Sequence, residues 1–178
     1  MPLTWTVQSI SGLKMFLMPV TVLPVDFHNP KHCEALVMLL DAYARDPMGG
    51  GEGLAQDVKD RLCQDLAGRS DAASFIAWQD GQALGLVNCI EGYSTFKARP
   101  LMNIHDIAVL PAYRGQGVGR ALLHAAQAHA SARGCCKLTL EVLTGNATAL
   151  RSYTRFGFEP YALDPAAGQA SFMHKWLD

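Results

Sequence analysis

The run Arg114-Gly115-Gln116-Gly117-Val118-Gly119 has glycines at a spacing that could bind an anion. Before it, Asn103 to Val109 is apolar and β-branched and reads as a strand. After it, Arg120 to Arg133 reads as a helix, with Val118, Leu122, Ala125, Ala126 and His129 at helical spacing. A strand feeding such a turn and then a helix points several backbone N–H groups at one spot, with the positive end of the helix dipole behind them. That arrangement suits a phosphate.

The elements around this turn follow from pattern and punctuation. Val20 to Phe27 reads as a strand, and Asn29-Pro30 offers an N-cap with proline at N1 for the helix that carries Leu36, Leu39, Leu40 and Tyr43. A glycine-rich loop, Met48 to Gly53, separates it from a second helix with Leu54, Val58, Leu62 and Leu66 four apart. Ser74–Trp78 and Ala83–Ile90 flank Asp80-Gly81, which predicts a hairpin with a type I′ turn. A loop over 91–100 leads into the strand ending at Val109. Beyond the central helix come a strand at 137–142, a short helix over 146–156 closed by Gly157, and two last strands near 158–163 and 170–176. The crossover from 103 to 142 is parallel and right-handed, and the hairpin is antiparallel. The class is therefore α/β or α+β, with a mixed sheet.

The 178 residues are 49% hydrophobic and 17% charged with a net charge of −1, which fits one globular domain and provides no basic stripe for nucleic acid. Residues 18–178 are expected to form that domain, with 1–17 as an N-terminal extension. Five cysteines without Cys-x-x-Cys spacing argue against a disulfide framework and against a metal site, and favour a reducing, cytoplasmic setting. No apolar run approaches ~18 residues, so no membrane partner is expected.

Two nucleotide readings of the turn fail on residue type. No Lys-Ser/Thr follows the glycines, and the dinucleotide motif needs glycine where Arg114 stands. Nor does an acidic residue end the next strand, since Glu141 reads as mid-strand. The second part of the signal is Asn146-x-x-Ala149-x-x-x-Tyr153-x-x-x-Gly157-Phe158. Together with Arg-x-x-Gly-x-Gly, it resembles the GCN5-related N-acetyltransferase (GNAT) superfamily over about residues 18–178.

The resemblance implies a mostly antiparallel sheet of six to seven strands with about four helices and one parallel crossover at the cofactor site. It implies acetyl-CoA (coenzyme A) as cofactor, with the pyrophosphate on the amides of Gln116, Gly117, Val118, Gly119 and Arg120. The pantetheine arm would pair strand-like with Ile107, Ala108 and Val109, while Arg114 and Gly115 fix the turn. Asn146 and Ala149 would contact the pantetheine, and Tyr153 would hold its hydroxyl near the thioester sulfur. Tyr153 could equally be a helix-packing residue, and Asn146 and Gly157 could be simple caps.

Amine acetylation needs a base, because an alkylamine of pKa ~10.4 is only about one part in a thousand neutral at pH 7. His105 is the first choice, expected to share a strand face with Asn103 and Ile107. The segment is similar to the strand of serotonin N-acetyltransferases, with Asn103 replacing the first of their two histidines. Glu91 is the second choice, and Asp106 is expected on the opposite face. Gly50, Gly51, Glu52 and Asn103 are candidate acceptor contacts, although the glycine loop could also be a mere hinge. The implied activity is direct acetyl transfer to a small-molecule amine. A protein or peptide amine, or a non-catalytic CoA sensor, is the alternative. A homodimer is compatible with the chain.

Overall fold

The computed structural model describes residues 4–5, 19–161 and 171–177. The elements are β1 (Thr4–Trp5), β2 (Val20–Pro24), α1 (Pro30–Ala44), α2 (Gln56–Ala67), β3 (Ala72–Gln79), β4 (Gln82–Ser94) and β5 (Arg99–Val109), followed after a 3₁₀ turn by α3 (Val118–Ala132), β6 (Leu138–Leu140) and α4 (Ala147–Phe156). Among the described residues, six strands form one sheet in the order β1-β2-β3-β4-β5-β6. All neighbours pair antiparallel except β5 and β6, which are parallel. The mixed, mostly antiparallel class is as expected. The chain divides into two compact units, Met1–Leu140 and Glu141–Asp178.

In the first unit the two sheet faces carry different helices. Leu36 and Leu39 of α1 pack with Ile76 and Leu86 on one face. On the other, Phe75 meets His129 of α3 edge-on, with ring centroids 5.5 Å apart. The apolar stripe of α3 supplies seven buried residues, from Val118 to Ala130. Local rules set the ends of these helices. Asn29 caps α1 by accepting from the Lys31 N–H at 3.0 Å, with Pro30 in the first turn. After α3, Gly134 is left-handed (φ 72°) and Cys135 N–H donates back to Ala130 O at 2.9 Å, a Schellman closure. Asp80 and Gly81 both have positive φ, as a type I′ hairpin turn requires.

Four expectations are corrected. The segment 91–100 is not a loop: β4 runs to Ser94, and Glu91 to Ser94 pair with Met102 to Arg99, leaving a short turn at 95–98. Its polar residues hid that ladder from the hydrophobic pattern. The sixth strand stops at Leu140, so Glu141 follows the strand instead of lying within it. Leu54 precedes α2, its N–H held at 2.8 Å by Asp41 Oδ1. No strand forms at 158–161 or 171–177; the rest of those two expected strands lies outside the described residues. Phe158 N–H turns back to Tyr153 O at 3.0 Å, which removes it from any sheet ladder.

Candidate active site

The glycine turn carries β5 into α3. Gly115 (φ 75°) and Gly117 (φ 87°) are left-handed, a region that side chains rarely enter. A Cβ at either would meet nothing within 4 Å, so the space before the helix is open. Gly117 occupies the N-cap position without a side-chain cap. Ala121 N–H donates to Gly117 O at 3.0 Å, and the N–H groups of Val118, Gly119 and Arg120 precede that first helical bond. Gln116 Nε2 closes the turn on Ala112 O at 2.9 Å. Donors without a side-chain cap, at the positive end of a helix, fit a phosphate.

The strand feeding the turn is irregular. Asn88 pairs with Asp106 and Cys89 with Ile104, so His105 is an extra residue, a β-bulge. Cross-strand partners share a face, and the bulge therefore exchanges faces along β5. Asn103, opposite Ile90, lies on the α1 side, as do Asp106 and Ala108, opposite Asn88 and Leu86. Ile107, opposite Val87, lies on the α3 side. The expectation that Asn103 and Ile107 share a face is thus corrected, and Asp106, expected on the face opposite both, lies opposite Ile107 but shares the face of Asn103. His105 itself is exposed at the bulge. Asn103 Nδ2 donates to Thr139 Oγ1 on β6 at 3.2 Å.

Beyond Ile104, β5 parts from β6: the parallel register covers Met102, Asn103 and Ile104 only. Ile107, Ala108 and Val109 are paired with β4 on one edge and have no β6 residue on the other. An extended ligand can use such an edge as a strand would. Gly85 presses against this segment from β4; a Cβ there would lie 2.5 Å from Ala108 O.

On the α1 side a cleft of about 240 Å³ opens between Tyr43, Asp46, Ala108, Val109 and Arg114. The Arg114 guanidinium donates from Nε to Val109 O at 3.0 Å and from its terminal nitrogen to Asp46 Oδ2 at 2.8 Å. That bond holds the Asp46 carboxyl below the usual carboxylate range. Burial, then the charges of Asp106 and Asp46, pushes the Tyr43 phenol up. In the loop, Gly51 N–H donates to Ala44 O and Asp46 O at 2.9 and 3.2 Å, so this amide serves the loop itself; Glu52 is exposed. Glu91 lies on the α3 face, opposite Met102, ion-paired with Arg133, which lowers its pKa.

In the second unit, Asn146 Oδ1 accepts from Ala149 N–H at 3.1 Å and caps α4. Gly157 is left-handed (φ 107°), and its N–H donates to Thr154 O at 3.1 Å while Phe158 N–H reaches Tyr153 O. This is again the Schellman arrangement, and the Tyr153 and Phe158 rings complete it at 5.9 Å.

The profile of the acetyltransferase (GNAT) family matches residues 36–158, from α1 through the glycine turn to the end of α4. The chain belongs to this family. As a GNAT protein it is 38% identical over 103 residues to streptothricin acetyltransferase of Streptomyces lavendulae, covering 57% of this chain and 52% of that one. It is 27% identical to a mycothiol acetyltransferase of Catenulispora acidiphila, over 69% of this chain and 38% of that one. The matched region thus spans about half of the first relative and well under half of the second. An aminoglycoside N-acetyltransferase solved with CoA shares the fold at TM-score 0.71 and 22% identity, over 92% of this chain and 98% of that one.

Sequence reasoning found the turn and the caps of α4, but missed Tyr43, Asp46 and Gly85. Asp46 stands before Pro47 with no motif around it. The closeness of Gly85 to β5 depends on strand pairing, which no local pattern announces.

Proposed function

We propose that this GNAT protein is an acetyl-CoA-dependent N-acetyltransferase that passes an acetyl group directly to an amine of a small molecule. The observation that carries the proposal is the uncapped, glycine-opened N-terminus of α3 at the end of a β5 edge that β6 has left. When bound, acetyl-CoA supplies the acetyl group as a thioester. The amides of Gln116 to Arg120 hold its pyrophosphate, and the free edge of Ile107, Ala108 and Val109 takes the pantetheine. Asn146 and Ala149 contact that arm. Tyr153 Oη carries the proton that the departing sulfur needs, a role open to a phenol as a hydroxyl donor.

The geometry favours His105 over Glu91 as the base. His105 is exposed at the bulge, whereas Glu91 is committed to Arg133 on the α3 face. An amide of the Ile107–Ala108 segment is the donor for the thioester oxygen as it becomes negative. Among the described residues no helix is long and apolar enough to cross a membrane. Small-molecule acceptors are supported by the streptothricin and mycothiol acetyltransferases among the relatives.

Thiol release from acetyl-CoA with a panel of amines tests this reading. Tyr153→Phe should lower kcat by about 10²-fold, the scale of general acid catalysis, with little change in the KM for acetyl-CoA. Undiminished turnover removes Tyr153 from the role. Tight acetyl-CoA binding without turnover on any amine makes the protein a sensor instead.

A further inference from the structure

Ser74, Asn88 and Asp106 stand side by side on β3, β4 and β5, all on the sheet face that α1 covers. Ser74 Oγ donates to Asn88 Oδ1 at 2.6 Å, and Asn88 Nδ2 donates to Asp106 Oδ2 at 3.0 Å. Ser74 and Asn88 are 4% and 8% exposed. Burying a hydroxyl and an amide is costly unless their bonds are made. Here the two bonds run in one direction: the hydroxyl fixes the amide's carbonyl, so the amide presents its NH₂ to the carboxylate. The chain aims Asp106 by one oxygen.

Asp106 is next to Ala108 on that face, and Ala108 and Tyr43 line the cleft. The Tyr43 phenol feels the charges of both Asp106 and Asp46. Their situations differ. The Asp46 charge is met by the Arg114 guanidinium, while the bond described for Asp106 comes from a neutral amide. A carboxylate fixed by a neutral partner on a buried scaffold, two residues along the strand from the cleft-lining Ala108, suits a cation.

We infer that Asp106 binds the ammonium form of the acceptor and makes the site selective for alkylamines over amines that are neutral at pH 7. The inference rests on the acetyltransferase reading and names the acceptor class of that site. The carboxylate favours the charged form of the amine, the abundant form at that pH, so its contribution lies in KM more than in kcat.

Two measurements at pH 7.5 test it: steady-state kinetics with 1,4-diaminobutane and with aniline, and calorimetric binding of 1,4-diaminobutane to the CoA-saturated protein. Asp106→Asn keeps the shape and removes the charge. Its KM for the diamine should rise about tenfold or more, as for a lost charge-assisted hydrogen bond. The KM for acetyl-CoA and kcat/KM for aniline should stay within about twofold. Ser74→Ala, which frees the Asn88 amide to turn, should give a smaller rise in the same KM. An equal loss with both amines would mean a structural role and overturn the inference. So would equal diamine binding by wild type and Asp106→Asn, whatever the turnover. If wild type acetylates no amine yet binds the diamine more tightly than Asp106→Asn, the carboxylate stands and the enzyme reading fails.

Discussion

The two ends of the short stretch from Asn103 to Arg120 are built on different principles. Its second half, the turn at 114–119, is local. Left-handed backbone needs glycine, a helix start leaves its first N–H groups without helical acceptors, and both facts are visible from neighbours in the chain. Its first half, the bulge at His105, is relational. It exists because Asn88 pairs with Asp106 while Cys89 pairs with Ile104, which is a property of two strands. Local rules can therefore locate the glycine turn proposed to hold the anion, whereas the bulge beside the proposed acceptor position depends on register. One extra residue decides which side chain faces which helix.

Removing the bulge should have the largest effect. Deleting His105 should restore alternation in β5 and abolish acetyl transfer, by about 10²-fold or more in kcat/KM, the scale of a misplaced reacting group. His105→Ala keeps the extra residue and should lose less. If both variants fall equally, only the imidazole matters and the bulge is incidental. A milder perturbation acts on the turn. Gly117→Val puts a β-branched residue at φ 87° and should raise the KM for acetyl-CoA about tenfold, ~1.4 kcal/mol, with the acceptor KM unchanged. Equal rises in both constants would show that the turn and the bulge act as one unit.

The smallest effect concerns the link between α1 and α2. Lys59 holds Asp41 at 2.8 Å, and that hydrogen bond, aided by Arg45 and the Leu54 N–H, brings its pKa down from 3.8 to about 2. A carboxylate with a lowered folded pKa contributes stability that is complete above its unfolded value and is lost as pH falls through the folded one. Tm should therefore drop faster between pH 4 and 2 in wild type than in Asp41→Asn. Parallel curves would show that the link between α1 and α2 contributes nothing.

The same division explains what the sequence made legible. The Asn29-Pro30 start of α1, the Asp80-Gly81 hairpin, Asn146 and Gly157 around α4, and the glycine turn all speak through local chemistry, and each stands where the pattern put it. The hairpin arms at 91–102 were hidden because Glu91, Gly92, Tyr93 and Ser94 pair without an apolar alternation. Asp106 was set apart from Asn103 by counting twos through a bulge, and the register puts the two on one face. Glu91 looked available until α3 brought Arg133 to it.

One side chain joins the two halves. Arg114 holds Val109 O with one nitrogen and Asp46 with another, so the strand end, the glycine turn and the loop after α1 share a single guanidinium. Any ligand that strengthens or strains this pair at one end alters the free energy of binding at the other. Such coupling is reciprocal for equilibrium affinities. The factor by which cofactor changes the Kd of the amine must equal the factor by which the amine changes the Kd of the cofactor. Arg114→Gln should bring both factors toward one together.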